Sequence, residues 1–145
     1  MKTDSIVLTA FILLLLIFVV SISPSGNPQK SGISNSGIAY SNSIIVFDNA
    51  ALTNVTNKIN WGTLYPGTTA FYDIWIKNVV QSDVILQLKT AGWRPENASN
   101  YLFLTWNTTL QTKLAPGTVG HYQLRLDCSP SIRGISGFSF NVTLT

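Results

Sequence analysis

Residues 60–78, Asn60-Trp61-Gly62-Thr63-Leu64-Tyr65-Pro66-Gly67-Thr68-Thr69-Ala70-Phe71-Tyr72-Asp73-Ile74-Trp75-Ile76-Lys77-Asn78, constrain this chain more than any other stretch. Pro66 followed by Gly67 suits the two central positions of a type II turn, where the second needs φ > 0. Beyond the turn the side chains alternate. Tyr72, Ile74 and Ile76 fall on one side, and Phe71, Asp73, Trp75 and Lys77 on the other. A period of two with one apolar side is a strand with one face buried. The same arrangement returns at Leu114-Ala115-Pro116-Gly117-Thr118, again followed by alternation. A turn feeding a long amphipathic strand, used twice, predicts an all-β domain.

The residues around this framework agree with it. Of the 145 residues 46% are apolar and only 10% charged, so there is enough to bury in one core. Beyond the N-terminal block the apolar residues are mainly β-prone types, with Ser, Thr, Asn and Gly between them. Strands are expected at 43–48, 58–62, 69–78, 84–90, 101–107, 118–128 and 138–144, with a single helical turn within 91–100 and a loop over 129–137. About seven short strands separated by turn signals predict an antiparallel β-sandwich.

The N-terminal third reads differently. Residues 6–22 carry no charge, and Lys2 precedes them. A helix of this length just spans a hydrocarbon core of about 30 Å. Ser21-Ile22-Ser23 has the small-x-small spacing of a signal cleavage site, but Pro24 follows the would-be cut. An uncleaved membrane anchor over 1–23 is therefore favoured over a cleaved signal. Either puts the remainder outside the cytoplasm, in the orientation that Lys2 supports. Residues 24–43 are dominated by Gly, Ser, Asn and Pro and read as a flexible tether. Ile33, Ile38 and Tyr40 are more apolar than a spacer needs and suit a sheet edge. The domain is expected over 44–145.

The sequence offers little for catalysis. Outside the N-terminal block the acids are Asp48, Asp73, Asp83, Glu96 and Asp127, with no spaced pair in one segment. His121 is the only histidine, too few for a zinc site or a base supported by a second imidazole. There is no Gly-x-Ser-x-Gly elbow and no phosphate-binding glycine loop. No enzyme activity, cofactor or metal is expected. The net charge of +3 is spread over Lys30, Lys58, Lys77, Lys89, Arg94, Lys113, Arg125 and Arg133 besides Lys2, without the cluster that a row of phosphates requires, so nucleic acid is not an expected partner. Cys128 stands alone, so no intrachain disulfide is possible; it shares the apolar side of its strand with Tyr122, Leu124 and Leu126.

Trp61-Gly62-Thr63-Leu64-Tyr65-Pro66-Gly67, Ile74-Trp75-Ile76-Lys77-Asn78 and Leu114-Ala115-Pro116-Gly117 together resemble Ig-like β-sandwich domains of archaeal and bacterial membrane-anchored or secreted surface proteins. Trp93-Arg94-Pro95-Glu96-Asn97-Ala98, Leu104-Thr105-Trp106 and Phe138-Ser139-Phe140 look like small membrane-tethered archaeal proteins of this type. The resemblance covers roughly 44–145. It implies an Ig-like sandwich and supplies no shared catalytic residues.

Two kinds of candidate site remain. Phe71 and Trp75 form an outward aromatic pair beside Asp73 and Lys77, suited to an interface or a sugar-stacking platform unless another element covers them. Asn54, Asn97, Asn107 and Asn141 head Asn-x-Ser/Thr sequons and are candidate glycan acceptors in an extracytoplasmic chain. The expectation is a membrane-tethered surface domain working in adhesion, surface structure or protein interaction, with other surface proteins, glycans or copies of itself as partners. One alternative is a secreted filament subunit in which residues 31–48 add a strand to the open sheet of the next copy. The other is a carbohydrate-binding module using Phe71 and Trp75.

Overall fold

The computed structural model of this protein describes residues 34–108 and 111–145. The expected anchor over 1–23 and the first part of the expected tether lie outside them. The described residues form ten strands: β1 (Ser34–Tyr40), β2 (Ile44–Phe47), β3 (Lys58–Gly62), β4 (Thr69–Asn78), β5 (Val84–Leu86), β6 (Leu88–Arg94), β7 (Leu102–Trp106), β8 (Thr112–Leu114), β9 (Val119–Cys128) and β10 (Ser139–Leu144). A 3-10 helix, Glu96–Asn100, lies between β6 and β7. Two four-stranded sheets, ordered β3-β1-β10-β6 and β2-β4-β9-β7, pack as a sandwich, and β5 and β8 make a small two-stranded sheet.

The repeated turn organises the second sheet. Gly67 has φ of 76° and Gly117 has φ of 69°, the left-handed conformation that a type II turn demands. Thr68 N donates to Tyr65 O at 3.0 Å and Thr118 N to Ala115 O at 3.2 Å. Each threonine hydroxyl also donates to that same carbonyl, at 2.7 Å in both turns. The two turns deliver β4 and β9, which pair antiparallel from Thr69↔Asp127 to Lys77↔Val119. Their inward side chains, Ile74, Ile76, Tyr122, Leu124, Leu126 and Cys128, are buried. Cys128 is thus a core residue, and its burial pushes the thiol pKa up.

The first sheet departs most from expectation. Ser34–Tyr40, assigned to the tether, is a strand in the interior of that sheet. It runs antiparallel to β3 and parallel to β10, so the sandwich is not purely antiparallel. The domain therefore starts by residue 34 and not at 44. The inward positions Ser34 and Ser36 are polar yet fully buried, which is why the hydrophobic pattern does not reveal the strand. Packing explains the small residues. With Ser36 registered against Phe140, the Trp61 ring of β3 reaches across β1 and stacks on Phe140 of β10, with centroids 6.3 Å apart and planes at 16°. Larger side chains on β1 would fill that space. Trp93 of β6 continues the row, stacking on Phe140 at 4.0 Å, and Tyr72 of the other sheet meets Trp61 edge-on at 6.2 Å.

The strand expected over 84–90 is two strands. β5 pairs with β8, while β6 pairs with β10 and runs on to Arg94. The change of partner falls at Gln87, which exchanges backbone hydrogen bonds with Thr145. The alternation Val84, Leu86, Leu88 continues across the junction, so the sequence shows no break. The helical turn expected within 91–100 is the 3-10 helix. The 129–137 segment is a loop as expected, but Ile132 and Ile135 are buried and close one end of the core.

Asn78 ends β4 with no exposed surface. Its Nδ2 donates to Ser82 O at 2.8 Å and Leu114 O at 2.9 Å, and its Oδ1 accepts from Val80 N at 2.9 Å. The bonds with Ser82 and Val80 close the turn after β4, and the bond to Leu114 ties it to the end of β8. A buried amide is tolerated because its polar groups are paired.

Candidate functional site

The outer face of the β2-β4-β9-β7 sheet is where the unusual side chains collect. Strand alternation puts Phe71, Asp73, Trp75 and Lys77 of β4 on it, with Val119, His121, Gln123, Arg125 and Asp127 of β9 and Phe103 and Thr105 of β7. Phe71 is 58% exposed and Phe103 53%. Val119 is exposed as well. The register places Phe71 opposite Arg125 and Phe103 opposite Asp127, so the two phenylalanines stand diagonally on either side of β9.

The charged groups between them are internally paired. Arg125 Nε donates to Asp127 Oδ1 at 3.0 Å and its Nη2 lies 2.9 Å from the same oxygen. Thr69 Oγ1 donates to that oxygen at 2.6 Å. The threonine hydrogen bond, with the Arg125 contacts, holds the Asp127 carboxyl below the usual carboxylate range, against a smaller upward push from burial. Further along, Asp73 Oδ1 lies 2.9 Å from His121 Nε2 and accepts from Gln123 Nε2 at 3.3 Å. The His121 ring stacks on Trp75, with centroids 4.6 Å apart and planes at 18°.

This arrangement revises the expected aromatic pair. Phe71 is exposed as expected. Trp75 is only half-buried, but His121 occupies one face of its indole, so it is not an open platform. The second exposed ring is Phe103. The sequence held a signal for it: with Leu102, Leu104 and Trp106 inward, Phe103 must face out. It lies on a different strand from Phe71, and only the β4-β9-β7 order brings the two to one face.

The sequons are dispersed. Asn54 is exposed in the loop after β2, and its side-chain nitrogen donates to Asp48. Asn97 is exposed in the 3-10 helix, which borders a shallow depression of about 490 Å³ lined by Glu96, Asn97, Ser99 and Asn100. Asn107 is exposed and its Oδ1 accepts from Gln123 N at 3.0 Å; the third residue of its sequon lies outside the described residues. Asn141 is exposed on the outer face of the first sheet, in register with Gly37 and Ala91. The structure does not bring any two of them together at one site.

Among the described residues no three His, Cys, Asp or Glu side chains gather as metal ligands. Among the described residues no hydroxyl or thiol is hydrogen-bonded to the His121 imidazole, the contact through which a His–Asp pair activates a nucleophile. What the face can do chemically is bury the Phe71 and Phe103 rings against a partner while Arg125 and Asp127 between them stay paired. No protein-family model matches this chain, and no curated protein matches it either. The class defined by the fold is an all-β domain of two packed sheets.

Proposed function

We propose that this chain is a non-enzymatic surface domain of Ig-like type, tethered to the membrane by residues 6–22, that works outside the cytoplasm by contact with other surface proteins. The observation that carries the proposal is the placing of Phe71 and Phe103 on one sheet face. Two exposed phenylalanines flanking an internally satisfied Arg125–Asp127 pair give apolar area without an unpaired charge to desolvate. The uncharged block at 6–22 and the repeated Pro-Gly grammar support the location and the type. The carbohydrate reading has less support, because His121 lies against one face of Trp75.

Two measurements test the proposal on the full-length chain in its native membrane. External protease added to intact cells removes the domain if it lies outside. The double substitution Phe71→Ser with Phe103→Ser leaves the melting temperature within about 2 °C, since surface changes cost little. After solubilisation in mild detergent it abolishes the chemical cross-linking of this chain to other surface proteins that the unsubstituted chain shows. A protected domain, or undiminished association of the double variant, would overturn the proposal.

A further inference from the structure

The first sheet depends on its N-terminal strand in an unusual way. Among the described residues β3 pairs with no strand except β1. Withdrawing β1 would strip β3 of its ladder and leave one side of β10 open, so the groove between β3 and β10 has to hold a strand. The strand that fits is known, because this chain's own β1 occupies it. Asn35 N donates to Phe138 O at 3.3 Å and Ile38 N to Asn57 O at 2.7 Å. Trp61 Nε1 donates to Ser36 Oγ at 3.0 Å, and Ile38 is buried. This is a shape-, register- and hydrogen-bond-specific receptor for one segment.

The segment is also built to leave. It is the first of the described strands, and only three residues join it to β2 in the other sheet. Asn42 and Ser43 are the centre of the turn that Ile44 N closes onto Ser41 O at 3.2 Å. Opened, these three residues reach about 10 Å. That is enough to carry β1 out of its own sheet into an abutting one, and short connections of this kind favour exchange. Most of the strand's hold is main-chain pairing, part of it in a parallel ladder, and Ile38 is its only large buried apolar side chain.

We infer that β1 is an exchangeable strand: the groove between β3 and β10 accepts Ser34–Tyr40 of a second copy of this chain in place of its own, linking copies through strand addition. Every contact of β1 is then remade in the neighbour, so exchange costs the entropy of association and little else. Reciprocal exchange closes a dimer, and one-way exchange extends a chain of copies. This inference does not rest on the reading of the outer aromatic face.

The test uses full-length chains in mild detergent, all carrying Cys128→Ala. Ala39 and Thr143 are register partners on β1 and β10. One chain carries Ala39→Cys and a second carries Thr143→Cys, and the two are co-expressed and then oxidised. A disulfide between them requires β1 of one chain to lie against β10 of the other. The expected result is a disulfide-linked heterodimer at least tenfold above that from pairing Thr143→Cys with a surface Lys89→Cys chain. A yield at the control level overturns the inference, provided that a single chain with both cysteines forms its internal disulfide and so shows β1 in place. Deleting Asn42 and Ser43 removes the turn, and the chain is then expected as folded oligomers. A deletion variant that remains a folded monomer contradicts exchange.

Discussion

Replacing Ser36 by alanine tests whether β1 is held by a specific polar contact or merely by backbone pairing. Ser36 is 1% exposed and Trp61 6%. The hydroxyl is the acceptor for the indole N–H, at 3.0 Å. The substitution removes the acceptor and leaves a buried donor with neither partner nor water, a loss of about 1–3 kcal/mol. Relief from burying the serine hydroxyl offsets part of this, so about 1–2 kcal/mol is expected net. With about 110 described residues and unfolding entropy of about 2.1 cal/mol/K per residue, each kcal/mol corresponds to roughly 4 °C. The melting temperature should therefore fall by about 4–8 °C, with a matching loss of urea midpoint at unchanged m value.

The decisive version is a double-mutant cycle with Trp61→Phe, which deletes the donor while retaining an aromatic ring. Trp61→Phe carries its own packing cost, but in that background Ser36→Ala should be nearly neutral, giving a coupling of about 1–2 kcal/mol. If Ser36→Ala costs the same in both backgrounds, the hydrogen bond is not what makes a buried serine acceptable there. The explanation of β1 as a receptor-specific strand would then fail at its most specific contact.

Four other perturbations follow from the same contacts. Gly120→Ala should cost about 1–3 kcal/mol by urea unfolding, because a Cβ there meets the Tyr122 ring, 2.4 Å from Oη and 2.6 Å from Cε2; adding Tyr122→Leu should recover part of it. Asn78→Ala should cost about 2–4 kcal/mol at every pH, because two carbonyls lose their donors. Asn78→Asp faces those carbonyls with a carboxyl that must stay protonated, so its folded pKa is raised; the variant should be most stable below about pH 4 and lose stability as pH rises. Asp127 has the opposite sign: its lowered pKa contributes stability above about pH 4 that is lost on acidification, and Asp127→Asn should flatten that acid limb by less than about 1 kcal/mol, the side chain being a third exposed.

Much of the second sheet was legible because its strands carry their own pattern. β4 begins and ends where the alternation does, at Thr69 and Asn78, and the glycines of both Pro-Gly turns take the positive φ that the residue order implies. Cys128 falls inward for the same reason. The first sheet was harder to read. β1 presents serines to the core because Trp61 and Phe140 meet above it, and nothing local in Ser34-Asn35-Ser36-Gly37 announces a distant tryptophan. The division of 84–94 depends on Thr145 and Leu114 choosing different parts of one apolar run, which is a long-range fact. Phe71 was visible as an outward aromatic, and so was the outward setting of Trp75. That His121 would cover the tryptophan depended on the β4–β9 register.

The exchangeable strand and the aromatic face lie on different sheets of the sandwich, which bears on how they would work together. β1 enters the sheet that contains β3, β10 and β6; Phe71 and Phe103 point outward from the sheet that contains β4, β9 and β7. Exchange of β1 therefore leaves the aromatic face uncovered on each copy, and the covalent link through Ser41, Asn42 and Ser43 holds neighbouring copies close. A partner that binds one face weakly would meet further faces at high effective concentration, so linked copies would gain apparent affinity without any new contact. Two exposed phenylalanines are a small surface for a monomer to depend on, below what a stable pairwise interface needs. Repetition through β1 is the physical route by which such a surface becomes sufficient.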